Sequence, residues 1–565
     1  MRPAEPPLVP GCRLESLRTT RVQKTAERAP IHPTRQGCDM SIRIACIGAG
    51  PGGLFLGTIA KRLMPDAEIT VFERNRAEDA FGFGVVFSDQ TLSRIDAADA
   101  VLHDALAEHG VHWDRIEVRL KGRRLSFAGN GMAAINRRTL LTLLQARAAE
   151  LGVDVRYSTP PPDVRQLAAD YDLVVAADGA NSTSREQFSD ILRPTVEIAT
   201  AKFIWFGTTY LFDGLTFVHR KGEHGNFAVH GYPIGPELST FIVETDETTW
   251  RAAGLDEFDV DQPPGPSDLR SKAYLEKLFA EDIDGHPLVT NNSRWGNFRT
   301  RRTPSWHIDN IVWLGDAVHT AHFSVGSGTK MAMEDAVSLA GQLAAHGADL
   351  PAALAAYEAE RQPEVAKIQN SAKPSLSWWE NFGLYYDNLK PWQFGFHFFS
   401  RSIPAAKIRR RDPEFVAAAE AGWRAEHGTD PLVTPLPVGD VVLSGRIGRI
   451  DAEELRYTAT DGTAIELRRV DSRRAANQGV VVTAPHHDTE IDAAVSAVTA
   501  AAKHAPLIVV TGGSRLTRAL LSERIRFQGL APTVIAIDAV DEDLALTLVL
   551  SGRADAIAYP AGGDD

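Results

Sequence analysis

Three short stretches carry glycines and acids in arrangements that can hold a phosphate-bearing cofactor. Gly48, Gly50 and Gly53 stand in G-x-G-x-x-G spacing, and Glu73 follows about 20 residues later. The first glycine lets the chain turn sharply, the second lets a pyrophosphate approach bare backbone, and the third lets a helix pack closely on a strand. Glu73 can accept hydrogen bonds from ribose hydroxyls. Two further acid-and-glycine turns are Asp178-Gly179-Ala-Asn-Ser-Thr-Ser-Arg185 and Gly315-Asp316-Ala-Val-His319. Asp316 can bond a sugar-alcohol hydroxyl, and Gly326-Ser-Gly328 opens a helix whose N-terminus can stabilise negative charge on a reduced flavin ring. Each of these alone could be an ordinary strand-ending turn. In this order and spacing they point to distant segments meeting around one cofactor.

The elements that must position these residues are legible as periodicity. Ile42 to Ile47 has the branched residues of a buried parallel strand, Gly52 to Leu63 the pattern of the helix after it, and Ile69 to Phe72 that of a second strand. Asp172 to Ala177 and Asn310 to Leu314 are strands whose carboxyl ends carry the other two turns, where open α/β sheets bind ligands. Asn136 to Leu151 reads as an amphipathic helix and Gly328 to Gln369 as an Ala-rich helical region. Between them, Phe203 to Tyr210, Leu215 to His219, Asn226 to His230 and Thr240 to Glu244 read as an inserted antiparallel sheet, about 190–300. The fold class is therefore α/β: a Rossmann-like dinucleotide-binding domain over 40–400 with an inserted antiparallel β-sheet domain. A helical linker, 401–433, and a small C-terminal α/β domain, 434–565, complete it. The aromatic-rich stretch Ser377 to Ser400 either packs a core or covers a flat ligand. Residues 1–39, Pro- and Arg-rich without periodicity, are expected to be a disordered extension, with Met40 a candidate start.

Composition bounds the function. The chain has 565 residues, 44% hydrophobic and 24% charged, enough for two or three domains of an ordinary globular protein. A formal charge of −13 argues against nucleic-acid binding, and no apolar run approaches the roughly 20 residues that span a bilayer. Cys12, Cys38 and Cys46 form neither a disulfide framework nor a metal site, so a cytoplasmic setting without a metal is expected.

From Ser41 to about Gln369 the chain resembles the single-component FAD-dependent aromatic hydroxylases of the para-hydroxybenzoate hydroxylase superfamily. The resemblance rests on Gly48/Gly50/Gly53 with Glu73, Arg137-x-x-Leu140, Asp178-Gly179 with Arg185, and Gly315-Asp316 with His319. It implies that Arg137 lies beside the FAD phosphates, that the Asp178 motif touches FAD and NAD(P)H, and that Asp316 binds the ribityl chain. One departure stands out: the usual proline-glycine-glycine-asparagine stretch is replaced by His322-Phe-Ser-Val-Gly326-Ser-Gly328-Thr-Lys330. Phe81-Gly-Phe-Gly-Val-Val86, Lys202-Phe-Ile-Trp-Phe-Gly-Thr208 and Gly315-Asp-Ala-Val-His-Thr-Ala-His-Phe-Ser324 look like a narrower group. It holds salicylyl-CoA 5-hydroxylases, the monooxygenase half of anthraniloyl-CoA monooxygenase/reductase and a violacein-pathway hydroxylase. In the CoA-utilising members the hydroxylase is fused to an old yellow enzyme-like barrel. Thr434 to Arg446 resembles the opening of that barrel, and Ser522 to Arg526 with Ser551 to Asp555 resembles its close. The room between falls far short of roughly 250 residues, so the tail reads as a shrunken, flavin-free remnant or as an unrelated α/β domain.

The implied chemistry is hydroxylation of an aromatic ring at the expense of NAD(P)H, with NADH the preferred donor, and O2. The leading substrate is an aryl-CoA thioester such as salicylyl-CoA, giving gentisyl-CoA. A free aromatic acid or indole, or a non-oxygenating flavoprotein reductase, is the alternative; a homodimer is the expected assembly. A base drawing off a phenolic proton would help, and His322, His319 and His230 are candidates because imidazole titrates near neutrality. His322 is favoured; for each, a structural hydrogen bond is the plainer reading. A CoA thioester needs cations, from Arg299, Arg301 and Arg302 or from Lys407, Arg409, Arg410 and Arg411.

Overall fold

The computed structural model describes residues 41–561 except 89–91, 261, 264, 323–325, 327, 473–476 and 503. The expectations for residues 1–39 and for Met40 lie outside the described residues. A six-stranded sheet forms the first layer, in the order His307–Ile308, Ile311–Trp313, Leu173–Ala176, Arg43–Ile47, Glu68–Phe72, Asp154–Arg156. All neighbours are parallel except the first pair. Arg43–Ile47 is buried from its second residue onward because it lies mid-sheet with helices over it, which is why it reads as a continuous apolar run. The helix Pro51–Leu63 starts immediately after the first turn, with Pro51 at a position where its missing N–H costs nothing. The helix Arg137–Glu150 is capped by Asn136, whose side chain accepts from the Arg138 N–H.

The second layer is an eight-stranded sheet built around the strands Thr195–Thr208, Ser239–Thr245, Asn226–Pro233 and Thr216–Lys221. It takes in two strands from earlier in the chain, Ile116–Leu120 and Arg123–Phe127, and Ile116–Leu120 pairs in parallel with Thr216–Lys221. The helical region resolves into Gly328–His346 and a 39-residue helix, Leu350–Asn388, about 58 Å long. The aromatic stretch packs a core: Trp378, Trp379, Tyr385, Phe396 and Phe398 are buried among Val118, Phe217 and Ala228 of the sheet.

Beyond the helices Ala405–Arg411 and Pro413–His427, seven strands from Ile447–Asp451 to Ala556–Pro560 close into a barrel. Closure comes from parallel pairing of the first strand with the last. Side chains fill its interior, among them Tyr457, Leu467, Val509 and Val534. One hydrophobic cluster runs from Val118 of the sheet through Trp378 of the long helix to Ile557 and Tyr559 of the barrel. No helix among the described residues is long and apolar enough to cross a membrane.

Candidate active site

The three glycine-and-acid turns meet at the carboxyl ends of the first sheet. Gly48 has φ of +103°, and a Cβ there would stand 2.6 Å from the Ala177 carbonyl oxygen, so the first turn lies against the second. A Cβ at Gly52 would stand 2.8 Å from the Leu314 side chain, which brings in the third. At Gly53 a Cβ would overlap the Gly48 carbonyl oxygen, whereas Gly50 has nothing within 4 Å and opens onto free space. Backbone is thus bared at Gly50 beside a helix N-terminus, the arrangement a pyrophosphate needs.

Glu73 closes this cradle. Its Oε2 accepts from the Ala49 N–H at 2.9 Å and its Oε1 from Asn75 N and Nδ2 at 2.9 and 2.8 Å. Asp178 accepts from Ser184 N and Oγ at 3.1 and 2.9 Å, while Gly179, with φ of +79°, lines the cavity. Arg185 ties the second turn to the third by donating to the Ala317 carbonyl at 2.9 Å and the Ala180 carbonyl at 3.2 Å.

Above the turns lies a cavity of about 930 Å³, lined by Gly50, Arg137, Gly179, Gly315, Asp316, Gly326 and Gly328 on one side and by the second sheet on the other. Burial pushes the Arg137 guanidinium down and the Asp316 carboxyl up, and each opposes the other's shift by its charge. Neither side chain makes a hydrogen bond to another described residue, so a half-buried cation and a half-buried acid face the cavity uncommitted. Buried polar groups are normally partnered. A cation for phosphate, an acid for sugar hydroxyls and an open glycine cradle are the partners FAD requires, and the residues present fit it.

The three histidines go to different places. His319 is 1% exposed and turned away from the cavity; its Nε2 is 2.6 Å from Asp335 Oδ2. Asp335 also accepts from Gly315 N at 2.9 Å and Arg361 Nε at 2.8 Å. Burial raises that carboxyl's pKa, but His319 and then Arg361 outweigh it and hold it at about 2. His322 is buried edge-on to Phe298, centroids 4.9 Å apart, and burial lowers its pKa to about 4. His230 lines the cavity, under the Trp379 ring at 4.1 Å, with its Nε2 2.6 Å from Glu244 Oε1. Burial lowers His230 to about 3 and raises Glu244 to about 7, so the pair is neutral at pH 6.

Glu244, Asp335 and Arg361 were not singled out from the sequence. A lone acid in the apolar run Thr240-Phe-Ile-Val-Glu244, and an acidic pair Glu334-Asp335 in an Ala-rich helix, are the signals that could have found the first two. Lys330 bonds Glu334 at 2.7 Å, which ties the residue replacing the usual asparagine into the same charged cluster. Of the two cation groups, Arg299 and Arg301 line the cavity. Arg302, alternating to the other face, bonds Gln369 and Asn370 at 2.7 and 3.2 Å. Lys407, Arg409, Arg410 and Arg411 lie on an exposed helix apart from the cavity.

Comparison with known proteins agrees with this geometry. Residues 41–372 match the FAD binding domain family. A salicyloyl-CoA 5-hydroxylase from a Streptomyces species is 54% identical over 518 residues, 91% of this chain and 99% of the relative. A 3-hydroxy-4-methyl-anthranilyl-(aryl-carrier protein) 5-monooxygenase from Streptosporangium sibiricum is 35% identical over 337 residues, 60% of this chain and 89% of the relative. Among solved structures, the tetrameric form of 2-methyl-3-hydroxypyridine-5-carboxylic acid oxygenase shares the fold, with a TM-score of 0.50 and 19% identity over 66% of this chain and 98% of that one. The family match covers more than half of the chain, and the chain belongs to the FAD-binding family of flavin-dependent aromatic monooxygenases.

Proposed function

We propose that the protein hydroxylates the ring of an aryl-CoA thioester such as salicylyl-CoA, giving gentisyl-CoA, with NAD(P)H and O2 consumed. The observation that carries this is similarity at 54% identity along nearly the whole length of a salicyloyl-CoA 5-hydroxylase, C-terminal barrel included. The relative at 35% identity acts on an aromatic acid tethered to a carrier protein, a related kind of activated acyl group. When bound and reduced, FAD supplies the oxygen-activating chemistry.

The chain's own residues bind, enclose and accept a hydrogen bond. Gly48, Gly50 and Gly53 with Arg137 hold the phosphates; Glu73 and Asp316 hold the sugar and sugar-alcohol ends; Asp178 and Gly179 shape the second turn. Phe217, Tyr232 and Ile242 give the ring an apolar wall that excludes water. His230 is the histidine on that wall, and we assign it the hydrogen bond of the phenolic hydroxyl: burial keeps its imidazole neutral and able to accept, with Glu244 behind it. His319 is a positioning residue that holds the Gly315 turn through Asp335. His322, buried edge-on to Phe298, is a packing residue in this reading. We read the filled barrel as a reduced relative of a flavin barrel, with assembly rather than chemistry as its task; one FAD per chain, quantified after release, is the expected stoichiometry. A cytoplasmic enzyme working as a homodimer completes the reading.

The deciding assay incubates FAD-loaded protein with NADH or NADPH and either salicylyl-CoA or salicylate, and identifies products by mass spectrometry. Hydroxylated thioester formed with matched O2 uptake is the expected result. Turnover of the free acid alone would replace the reading by a free-acid hydroxylase, and NAD(P)H oxidation without oxygenated product by a reductase.

A further inference from the structure

Resting on the thioester reading, we infer that the mouth of the cavity between the strands Thr195–Thr208 and Gly296–Arg302 is the subsite for the phosphate-bearing arm of the substrate, with Lys202 and Arg299 as its cations. The cavity's deep end is set by His230, and it opens where two exposed apolar residues, Ile198 at 61% and Val260 at 38% exposure, still line it. A ring seated against His230 would therefore extend its acyl arm outward past this rim.

The rim has the chemistry of such an arm. Lys202 pairs in register with Asn297 and donates to its Oδ1 at 2.8 Å, leaving further ammonium protons free. Its Nζ also lies 4.6 Å from the centre of the Trp250 ring, which lines the mouth, and Glu247 is the acid that feels its charge. Arg299 is two residues from Asn297 on the same strand and so on the same face. Its exposed guanidinium has no hydrogen-bond or ion-pair partner among the described residues. The pairing shifts register between Ile198 and Lys202, so Lys202 stands beside Asn297 and Arg299 opposite Ile198, and the two cations line the mouth from neighbouring strands. Arg294 at the same rim is different: its donors go to the Val260, Gln262 and Pro263 carbonyls and to Asn292 Oδ1, at 2.8–3.2 Å. It is a fixed positive charge tied to Val260, Gln262 and Pro263. In a chain of formal charge −13, three cations around one opening mark it for an anion. Ile198 and Val260 between them suit the largely apolar pantetheine segment, and Lys202 and Arg299 the phosphates beyond it.

NAD(P)H also carries phosphates, so the test separates the two sources. KM is measured for salicylyl-CoA, for salicylyl-N-acetylcysteamine (the same thioester without nucleotide) and for NADH and NADPH, in wild type, Arg299→Glu and Lys202→Gln. Binding of free CoA to FAD-loaded protein is followed by calorimetry, and Arg410→Glu, on the exposed helix, is the control. Losing a charge-assisted phosphate contact should raise the ratio of the CoA-ester KM to the short-ester KM about tenfold in Arg299→Glu. CoA affinity should fall in parallel, and the NADH and NADPH constants should not follow. The inference is overturned if both thioesters change equally, if neither changes, or if the NAD(P)H constants carry the effect. Wild type that hydroxylates salicylyl-CoA with no dependence on Arg299 removes the subsite and leaves the proposed function. CoA binding through Arg299 without hydroxylation of the thioester does the reverse.

Discussion

Replacing Asp335 by Asn should destabilise the protein more than any other single exchange of a polar group near the site. Asp335 and Arg361 are fully buried and His319 is 1% exposed, so removing the carboxylate leaves a guanidinium without its main counter-ion in a dry environment. Breaking such a pair by removing one partner costs about 3–5 kcal/mol. The depressed pKa gives an independent figure: a fall from 3.8 to about 2 is worth roughly 2.5 kcal/mol of stability. That stability is present above about pH 4 and is lost as pH falls toward 2, so the variant's deficit belongs to neutral pH. With an m-value of at least about 3 kcal/mol/M for a chain this long, the urea midpoint should fall by up to about 1.7 M. Tryptophan fluorescence during urea titration at pH 7.5 reads this directly. Because Asn keeps a single acceptor oxygen for the donors of Gly315, His319 and Arg361, the turn carrying Asp316 should loosen and FAD should dissociate more readily in the same variant. Glu334→Gln, which touches Arg361 at 3.3 Å and lies nearer the surface, should cost less than half as much. A midpoint for Asp335→Asn indistinguishable from wild type would refute the reasoning.

The cradle makes a sharper claim: Gly53→Ala forces a methyl into the Gly48 carbonyl, and the purified variant should lack flavin absorbance while keeping most of its far-UV circular dichroism. Asp316→Ala should weaken FAD binding about tenfold in an equilibrium titration of the apoprotein, the scale of one hydrogen bond to a charged group; unaltered affinity would move the sugar-alcohol contact elsewhere. Between pH 4.5 and about 7 the folded protein keeps a proton on Glu244 that the unfolded chain has released, so its contribution to stability falls as pH rises through that window. Glu244→Gln should remove a slope totalling on the order of 3 kcal/mol, visible as urea midpoints that vary less between pH 5 and 8 than those of wild type. Equal pH dependence in the two proteins would place the proton elsewhere.

The cradle was legible because its demands fall on residue type itself: a positive φ at Gly48 and the tight approach at Gly53 admit little but glycine. Three strands of the second sheet, Thr216–Lys221, Asn226–Pro233 and Ser239–Thr245, were legible within a few residues from their aromatic and β-branched content, whereas Thr195–Thr208 begins eight residues before its apolar run. The order of preference among the three histidines was not legible. Nearness in sequence to the Gly315 turn favoured His319 and His322, but the 3-10 turn Gly315–Ala317 swings His319 toward the helix Gly328–His346. The cavity wall is supplied instead by His230, from a strand some 90 residues earlier, and Glu244 comes to it across a strand pairing. Barrel closure depends likewise on Ile447–Asp451 meeting Ala556–Pro560, a long-range pairing that local periodicity does not encode. Period alone also cannot say whether an aromatic stretch packs a core or covers a ligand, and here it packs.

The helix Leu350–Asn388 is fastened at three places along its length. Arg361 grips Asp335 near the cradle, Trp379 covers His230 at the cavity, and Tyr385 donates to Glu523 of the barrel at 2.8 Å. A chimera that exchanges C-terminal segments between related enzymes at residue 434 would therefore graft a foreign socket onto a native peg. Moving the crossover before residue 350 would keep the Tyr385–Glu523 pair but part the helix from Asp335 and His230, so hybrids from either junction should express only where the severed partners match in both parents.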